Sequence, residues 1–352
     1  VLTTTNSGLI VQKEKLFRHL QVLNEGVAFF SPERKVTFFN NHFQVFVNSI
    51  SGEHSIKQEQ FLDMPQFSQI SDFLNNHQVT EGKSGEHPAI EFQAENAGKH
   101  YSIRCILFND NSFEIVINDI TRTEQTKAMR QQMTSNIAHE LKTPVSSVRG
   151  YIETLLMNKD LDPEKREHFL EKALTQSNLI TDLINDIAML NKLDEAAGSF
   201  SFEEVNIMQV TREVAENLQA ALAGQNIRIE NSVREDVLVT ANRSLIVSVF
   251  QNLMENAISY AGRNSTIFIR TVQGEPGYHT FVFAANGRGI PEEHHGRIFE
   301  RFYRVDDGRS RLSGGTGLGL AIVKNAILLH HGEISVGTRP GGGTEFIFSL
   351  PK

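Results

Sequence analysis

From Arg122 to Asp194 glycine nearly vanishes and apolar side chains recur every three or four residues, and this stretch constrains the fold more than any other. Met133, Ile137, Leu141, Val145, Val148, Ile152 and Leu155 form one series; Phe169, Ala173, Gln176, Ile180, Leu183, Ile187 and Leu190 form a second. Such spacing puts each set on one face of a helix. Between them, Asp162 is placed to cap the second helix and Pro163 suits its first turn. The pattern predicts two long antiparallel helices joined by a short loop. One hairpin cannot cover its whole apolar stripe, so a dimeric four-helix bundle is the expected assembly.

The flanks have other textures. Gly26–Phe30, Val36–Phe39, Tyr101–Phe108 and Phe113–Asn118 are short β-rich runs between polar turns, which predicts an α+β module with an antiparallel sheet. After Ala196-Ala-Gly-Ser199, a flexible break, glycine returns and strands alternate with helices to Lys352. The chain of 352 residues is thus expected to be multidomain α+β: a linker at 1–13, a sheet module at 14–121, the helices at 122–196 and an α/β module at 197–352.

Composition narrows the function. Lys plus Arg is 34 against 42 for Asp plus Glu, a net charge of −8, so no basic excess exists to neutralise nucleic acid, which is not an expected partner. The one cysteine, Cys105, cannot form an internal disulfide or a cysteine metal cluster, and fits a reducing compartment. No run of about 18 apolar residues is present to span a bilayer. The chain opens at Val1 without an initiator Met or a signal-peptide pattern. The expectation is a soluble piece of a longer protein, any membrane region lying outside it ahead of residues 1–13.

The first helix contains Ser135-Asn-Ile-Ala-His-Glu-Leu-Lys-Thr-Pro144. His139 lies two residues, about 200° of turn, from both Ile137 and Leu141, so it should face water. Glu140 is placed to accept a hydrogen bond from one ring nitrogen, leaving the other as a nucleophile. The hydroxyl of Thr143 falls one turn on, on the same face. Pro144 removes a backbone hydrogen bond and should bend the helix.

His-Glu-Leu-Lys-Thr-Pro resembles the phosphoacceptor box of the sensor histidine kinases of two-component signalling. The resemblance implies that His139 is autophosphorylated, that Glu140 is its acid/base partner, and that Thr143 positions water for dephosphorylating a response-regulator receiver domain. It also implies a homodimer, ATP and Mg²⁺ as cofactors, and a C-terminal α/β sandwich of the GHKL type. A full-length kinase of this kind is expected on the cytoplasmic side of the cell membrane.

Four blocks resembling that family's nucleotide pocket follow in order. In Phe250 to Tyr260, Asn252 and Asn256 share a helix face; the resemblance gives Asn256 to Mg²⁺ carried by ATP and adds Tyr260 to the nucleotide site. Asn286-Gly287-Arg-Gly289-Ile-Pro291 is a close-approach turn beside the base. Arg297 to Arg304 combines aromatic anchors with guanidinium groups; by resemblance Tyr303 lies near base and ribose and Arg304 reaches the terminal phosphates. Gly314-Gly315-Thr316-Gly317-Leu318-Gly319 opens a helix, where bare backbone and amide donors suit phosphate. Asp306 to Ser313 reads as a mobile lid. His294-His295 and His330-His331 read as surface and helix-end residues, not metal ligands.

Two positions depart from the family pattern. Ser259 stands where a basic residue is usual, and Ala285 stands where an aspartate normally receives the adenine amino group. Ala285 is either an introduced substitution that disables nucleotide binding or a natural residue of a chain that binds ATP weakly. A degenerate scaffold or phosphatase-biased switch is therefore the alternative to an active kinase. An ATP hydrolase is disfavoured, because the position of its water-activating Glu is Asn252. Leu23 to Asn40 and the ending Asp119-Ile-Thr121 resemble a PAS sensor domain. No flavin-adduct context surrounds Cys105, and no haem ligand can be singled out from His19, His42, His54, His77, His87 and His100.

Overall fold

The computed structural model describes residues 14–53, 60–77, 87–195, 200–305 and 315–352. The linker 1–13, the break at 196–199, His54, Gly314 and the lid from Asp306 to Ser313 lie outside the described residues. Two compact units are formed, by residues 1–132 and 133–352.

In the first unit, helix α1 (14–22) precedes strands β1 (Gly26–Phe30) and β2 (Val36–Phe39) and helices α2 (Asn41–Ser51) and α3 (Ser68–Asn76). Strands β3 (Ala89–Asn96), β4 (Lys99–Leu107) and β5 (Phe113–Asp119) follow. The sheet is antiparallel in the order β2-β1-β5-β4-β3. β3 was not among the expected strands, because its residues alternate between exposed and half-buried with none in the core. Phe30, Phe43, Phe61, Phe67 and Phe113 are all fully buried and fill the interior. Asn40, fully buried, ties the entry together: its Oδ1 accepts from the N–H groups of Val27 and Phe43, and its Nδ2 donates to the carbonyls of Leu20 and Glu25. Gly26 lets α2 come close, since a Cβ there would stand 2.8 Å from the Cα of Phe43. Cys105 is buried in the sheet, and burial pushes its thiol up to about 12.

Helix α4 (Thr121–Met157) runs through Pro144, and α5 (Pro163–Glu195) begins at the expected proline. The N–H of Arg166 donates to the carbonyl of Asp162, so Asp162 holds the cap position. In the single chain Val145, Ile152 and Leu156 of α4 and Leu170, Leu174 and Ile184 of α5 stay exposed. No helix among the described residues is long and apolar enough to cross a membrane.

The remainder of the second unit comprises β6 (Glu203–Asn206), α6 (Ile207–Asn217), α7 (Gln219–Gln225), β7 (Arg228–Asn231), β8 (Leu238–Ala241) and α8 (Arg243–Tyr260). β9 (Thr266–Val272), β10 (Tyr278–Ala285), α9 (Gly319–Leu329), β11 (Ile334–Thr338) and β12 (Thr344–Pro351) complete it. Five strands form a sheet in the order β11-β12-β10-β9-β7, antiparallel except for β7 beside β9. β6 pairs with β8 in a separate ribbon. Leu245, Val249 and Leu253 of α8 and Val323 and Ile327 of α9 pack with Phe281, Phe283 and Phe348 of the sheet in one core. The closing hairpin turns through Gly341, Gly342 and Gly343, all at positive φ.

His330 corrects the surface assignment: it is 1% exposed. Its Nδ1 donates to the carbonyl of Ala326 at 2.6 Å, and its Nε2 accepts the N–H of Asn242, the cap of α8, at 2.9 Å. Burial holds the imidazole below the usual histidine range. The native state thus resists a proton that the unfolded chain takes up near pH 6.5. Stability from this group is complete above that pH and falls as the pH drops through it, by about 1–3 kcal/mol as the Asn242 N–H loses its acceptor. Urea midpoints for the parent and His330→Gln, compared at about pH 8 and about pH 5, should diverge only at the lower value.

Candidate active site

The side chain of His139 is 68% exposed on α4. Its Nδ1 faces Glu140 Oε1 at 3.6 Å, an ion-pair distance longer than a hydrogen bond. Nε2 is the ring nitrogen not turned to Glu140, and it is the candidate nucleophile. His139, Lys142, Thr143, Ser146 and Ser147 line an open hollow. The sequence reading omitted Lys142, Ser146 and Ser147, although Ser146 falls two turns on from His139 and the helical period could have found it.

Three of the four nucleotide blocks converge. On α8, Asn252 Nδ2 donates to the carbonyl of Ser248 at 2.9 Å, while its Oδ1 lies so close to Gly319 that a Cβ there would stand 2.2 Å away. Asn256 and Tyr260 follow at successive turns of the same helix, and Tyr260 is half exposed. A Cβ on Gly315 would meet Tyr260 Oη at 3.4 Å and the Arg304 guanidinium at 3.7 Å. Gly317 has φ +71° and its carbonyl accepts the Phe302 N–H at 2.8 Å; the Leu318 N–H donates to Thr316 Oγ1. Bare backbone walled by a phenol and a guanidinium suits a polyphosphate. The neutral carboxamide of Asn256 suits Mg²⁺ only when phosphate oxygens share the cation.

The fourth block lies at the end of β10 and abuts the C-terminal end of α8. Gly287 has φ +142°, and a Cβ there would stand 2.3 Å from the carbonyl oxygen of Ala261. Gly289, at φ +73°, abuts the carbonyl of Gly343. The Asn286 Oδ1 accepts from the Thr266 N–H at 2.5 Å, so this carboxamide fixes the turn to β9. Ala285 closes β10 between Ile267 and Thr344 and is 9% exposed. Tyr303 shares a 2.6 Å hydrogen bond with His294 Nδ1, and the Arg297 guanidinium lies 4.3 Å from the centre of its ring.

The two constellations meet across the hairpin. Arg304 Nη1 lies 4.0 Å from Glu140 Oε2. Arg301 forms a two-pronged contact with Asp194, at 2.7 and 2.9 Å. Thr316 Oγ1 donates to Asp186 Oδ2 at 2.7 Å, a partner separated by 130 residues. Burial pushes the Asp186 carboxyl above the ordinary range, partly opposed by the Thr316 hydrogen bond; burial does the same to Glu255, opposed by Gln251. Among the described residues no cluster of His, Cys, Asp and Glu is arranged to hold a metal ion by itself.

Residues 129–196 match the His Kinase A (phospho-acceptor) domain, and residues 241–352 match the histidine kinase-, DNA gyrase B- and HSP90-like ATPase family. The chain carries the two domains of a sensor histidine kinase. Over 252 residues it is 33% identical to the sensor-like histidine kinase SenX3 of Mycolicibacterium smegmatis, covering 71% of this chain and 65% of the relative. The phosphate regulon sensor protein PhoR of Pseudomonas aeruginosa is 34% identical over 241 residues, 68% of this chain and 54% of its own length. The sensor histidine kinase WalK of Bacillus subtilis is 32% identical over 67% of this chain and 39% of its own length. The matched part thus spans between 39% and 65% of these relatives. The solved structure of the Acinetobacter baumannii histidine kinase AdeS shares the fold at a TM-score of 0.50 and 21% identity, covering 60% of this chain and 97% of AdeS. Histidine-kinase domains of this kind are ATP-using.

Proposed function

We propose that this kinase phosphorylates His139 with MgATP and passes the phosphoryl group to an aspartate on a response-regulator receiver domain. The observation that carries the reading is the approach of Arg304, from the nucleotide side, to within 4.0 Å of the acid adjoining His139. Asn252, Asn256, Tyr260, Gly287, Gly289, Tyr303, Arg304 and the Gly315–Gly319 loop hold the nucleotide, with Asn286 fixing the turn beside the base. Asn256, together with the phosphates, would hold Mg²⁺, which would supply charge neutralisation for the transferring group.

His139 Nε2 attacks the γ-phosphorus; the bond from that phosphorus to the bridging oxygen breaks, ADP leaves, and Nδ1 gives its proton to Glu140. Charge on the leaving side is met by Arg304 and the amides at the start of α9. Thr143, exposed in the hollow beside His139, positions water for dephosphorylating the regulator.

The exposed apolar positions of α4 and α5 support a homodimer closing a four-helix bundle. Residues 14–121 form a PAS-like sensor and signal-transmitting module, and the longer protein lies at the cytoplasmic face of a membrane. A phosphatase-biased switch is the second reading and rests on Ala285.

Labelled MgATP supplied to the chain tests the proposal. An acid-labile, base-stable phosphoryl group mapped to His139 by mass spectrometry, and lost in His139→Ala, is expected. Stable label on a hydroxyl residue, or label that persists in His139→Ala, would refute it. No label despite measurable ATP binding favours the phosphatase-biased reading.

A further inference from the structure

Two residues assigned to the phosphate side, Thr316 and Arg304, are engaged by the helical hairpin. Thr316 is hydrogen-bonded to Asp186, and Arg304 faces Glu140. Around the first contact Leu183 and Leu190 of α5 close on Leu318, Ala321 and Ile322 of the loop and α9, all buried. Asp186 lies on α5 between Leu183 and Leu190 and is half-buried beside this apolar contact.

The other charges acting on the pair are acidic. Glu255 and Asp182 oppose ionisation of Asp186, and Asp182 opposes that of Glu255. Cations on the neighbouring elements are placed elsewhere: Lys324 of α9 lies over the Phe299 ring, Arg301 on Asp194 and Arg304 beside Glu140. Gln251 donates to Glu255 at 2.9 Å. Docking the catalytic domain on α5 therefore crowds three carboxylates together with hydroxyl and amide donors as their neutral partners.

We propose that Asp186 is a proton-sensitive latch that holds the Gly315–Gly319 loop against α5 and competes with nucleotide for it. The proposal rests on the nucleotide-binding reading of that loop. The docked state, with Thr316 bonded to a half-buried Asp186, raises the affinity of Asp186 for protons, so falling pH favours docking and rising pH opposes it. By reciprocity, whatever strengthens the latch weakens the binding of a nucleotide that needs Thr316 free. The latch would make the kinase less responsive to ATP in acid, independently of any signal to residues 14–121.

Hydrogen exchange of residues 315–322 in the nucleotide-free chain, corrected for intrinsic rates, reports docking without a label. From about pH 8 to about pH 5 the protection should rise about tenfold for each pKa unit by which docking raises a carboxylate. Asp186→Asn keeps the acceptor and removes the charge. It should give high protection that varies little with pH. Asp186→Ala should lose the added protection at every pH and bind MgATP several-fold more tightly in calorimetry. Parent-like pH dependence in Asp186→Asn, or unchanged protection in Asp186→Ala, overturns the latch. If exchange behaves as expected while none of the variants binds MgATP, the latch stands and the nucleotide assignment of the loop fails.

Discussion

Placing an aspartate at position 285 is expected to tighten ATP binding by about ten- to a hundred-and-fifty-fold, the value of about 1.5–3 kcal/mol for one hydrogen bond to a charged acceptor. Ala285 ends β10, paired on one side with Ile267 and on the other with Thr344, and its carbonyl oxygen is crowded by Gly343. These strands fix the backbone, so a new carboxylate would project from a preset position instead of having to find one. The gain should be confined to adenine nucleotides, because the acceptor matches the 6-amino group; GTP, with an oxygen there, should gain nothing. A cost accompanies it. Position 285 is 9% exposed and belongs to the core, so an unpaired carboxylate should lower the thermal midpoint of the nucleotide-free chain. Saturating ATP should restore that midpoint through linkage. Equal dissociation constants for the parent and Ala285→Asp would show that the base is not held against this strand.

Phe61→Ala should destabilise the first unit by about 3–5 kcal/mol, the range for emptying a well-packed aromatic site. Phe61 is fully buried, and its ring lies 5.7 Å from Phe30, 5.5 Å from Phe43 and 5.0 Å from Phe67, the last two edge-on. Phe30 stacks in turn on Phe113 at 4.7 Å, so the five rings behave as one packed group. Phe61→Leu, which fills most of the volume, should cost distinctly less. Urea unfolding followed by hydrogen exchange within β1, β4 and β5 separates this unit from the other. A loss below about 1 kcal/mol for Phe61→Ala would show that the interior relaxes into the gap, as a chamber adapted to admit a ligand would.

Local signals were the legible ones. The hairpin could be read because thirty-residue helices repeat one period many times, the strands β1, β4 and β5 because each puts residues into a core, and β2 by its run of β-branched and aromatic residues. β3 hid because this edge strand has one face exposed and the other only half-buried, and places no residue fully in the core. In the site, glycines at 287, 289, 317 and 319 announced close approach, meeting Ala261, Gly343, Phe302 and Asn252 in turn, while Gly315 faces Tyr260 and Arg304. The contact between Asp186 and Thr316 was not legible, because nothing local marks one acidic residue on a charged helix as the partner of a hydroxyl 130 positions away. His330 failed for a related reason: a histidine at a helix end looks exposed until another helix cap is found covering it. Asn286 stands in the turn after β10, and its side chain serves the sheet edge.

The exposed apolar row formed by Val145, Ile152 and Leu156 with Leu170, Leu174 and Ile184 has a consequence for how the protein is handled and how cells could use it. If a second copy supplies the missing cover, the hairpin's folding free energy is set by protein concentration as well as by sequence. Dilution would then act as a mild denaturant, and the melting temperature of this segment would climb with each tenfold rise in concentration. Expression level would itself become an input to signalling, with sparse chains silent for want of a neighbour.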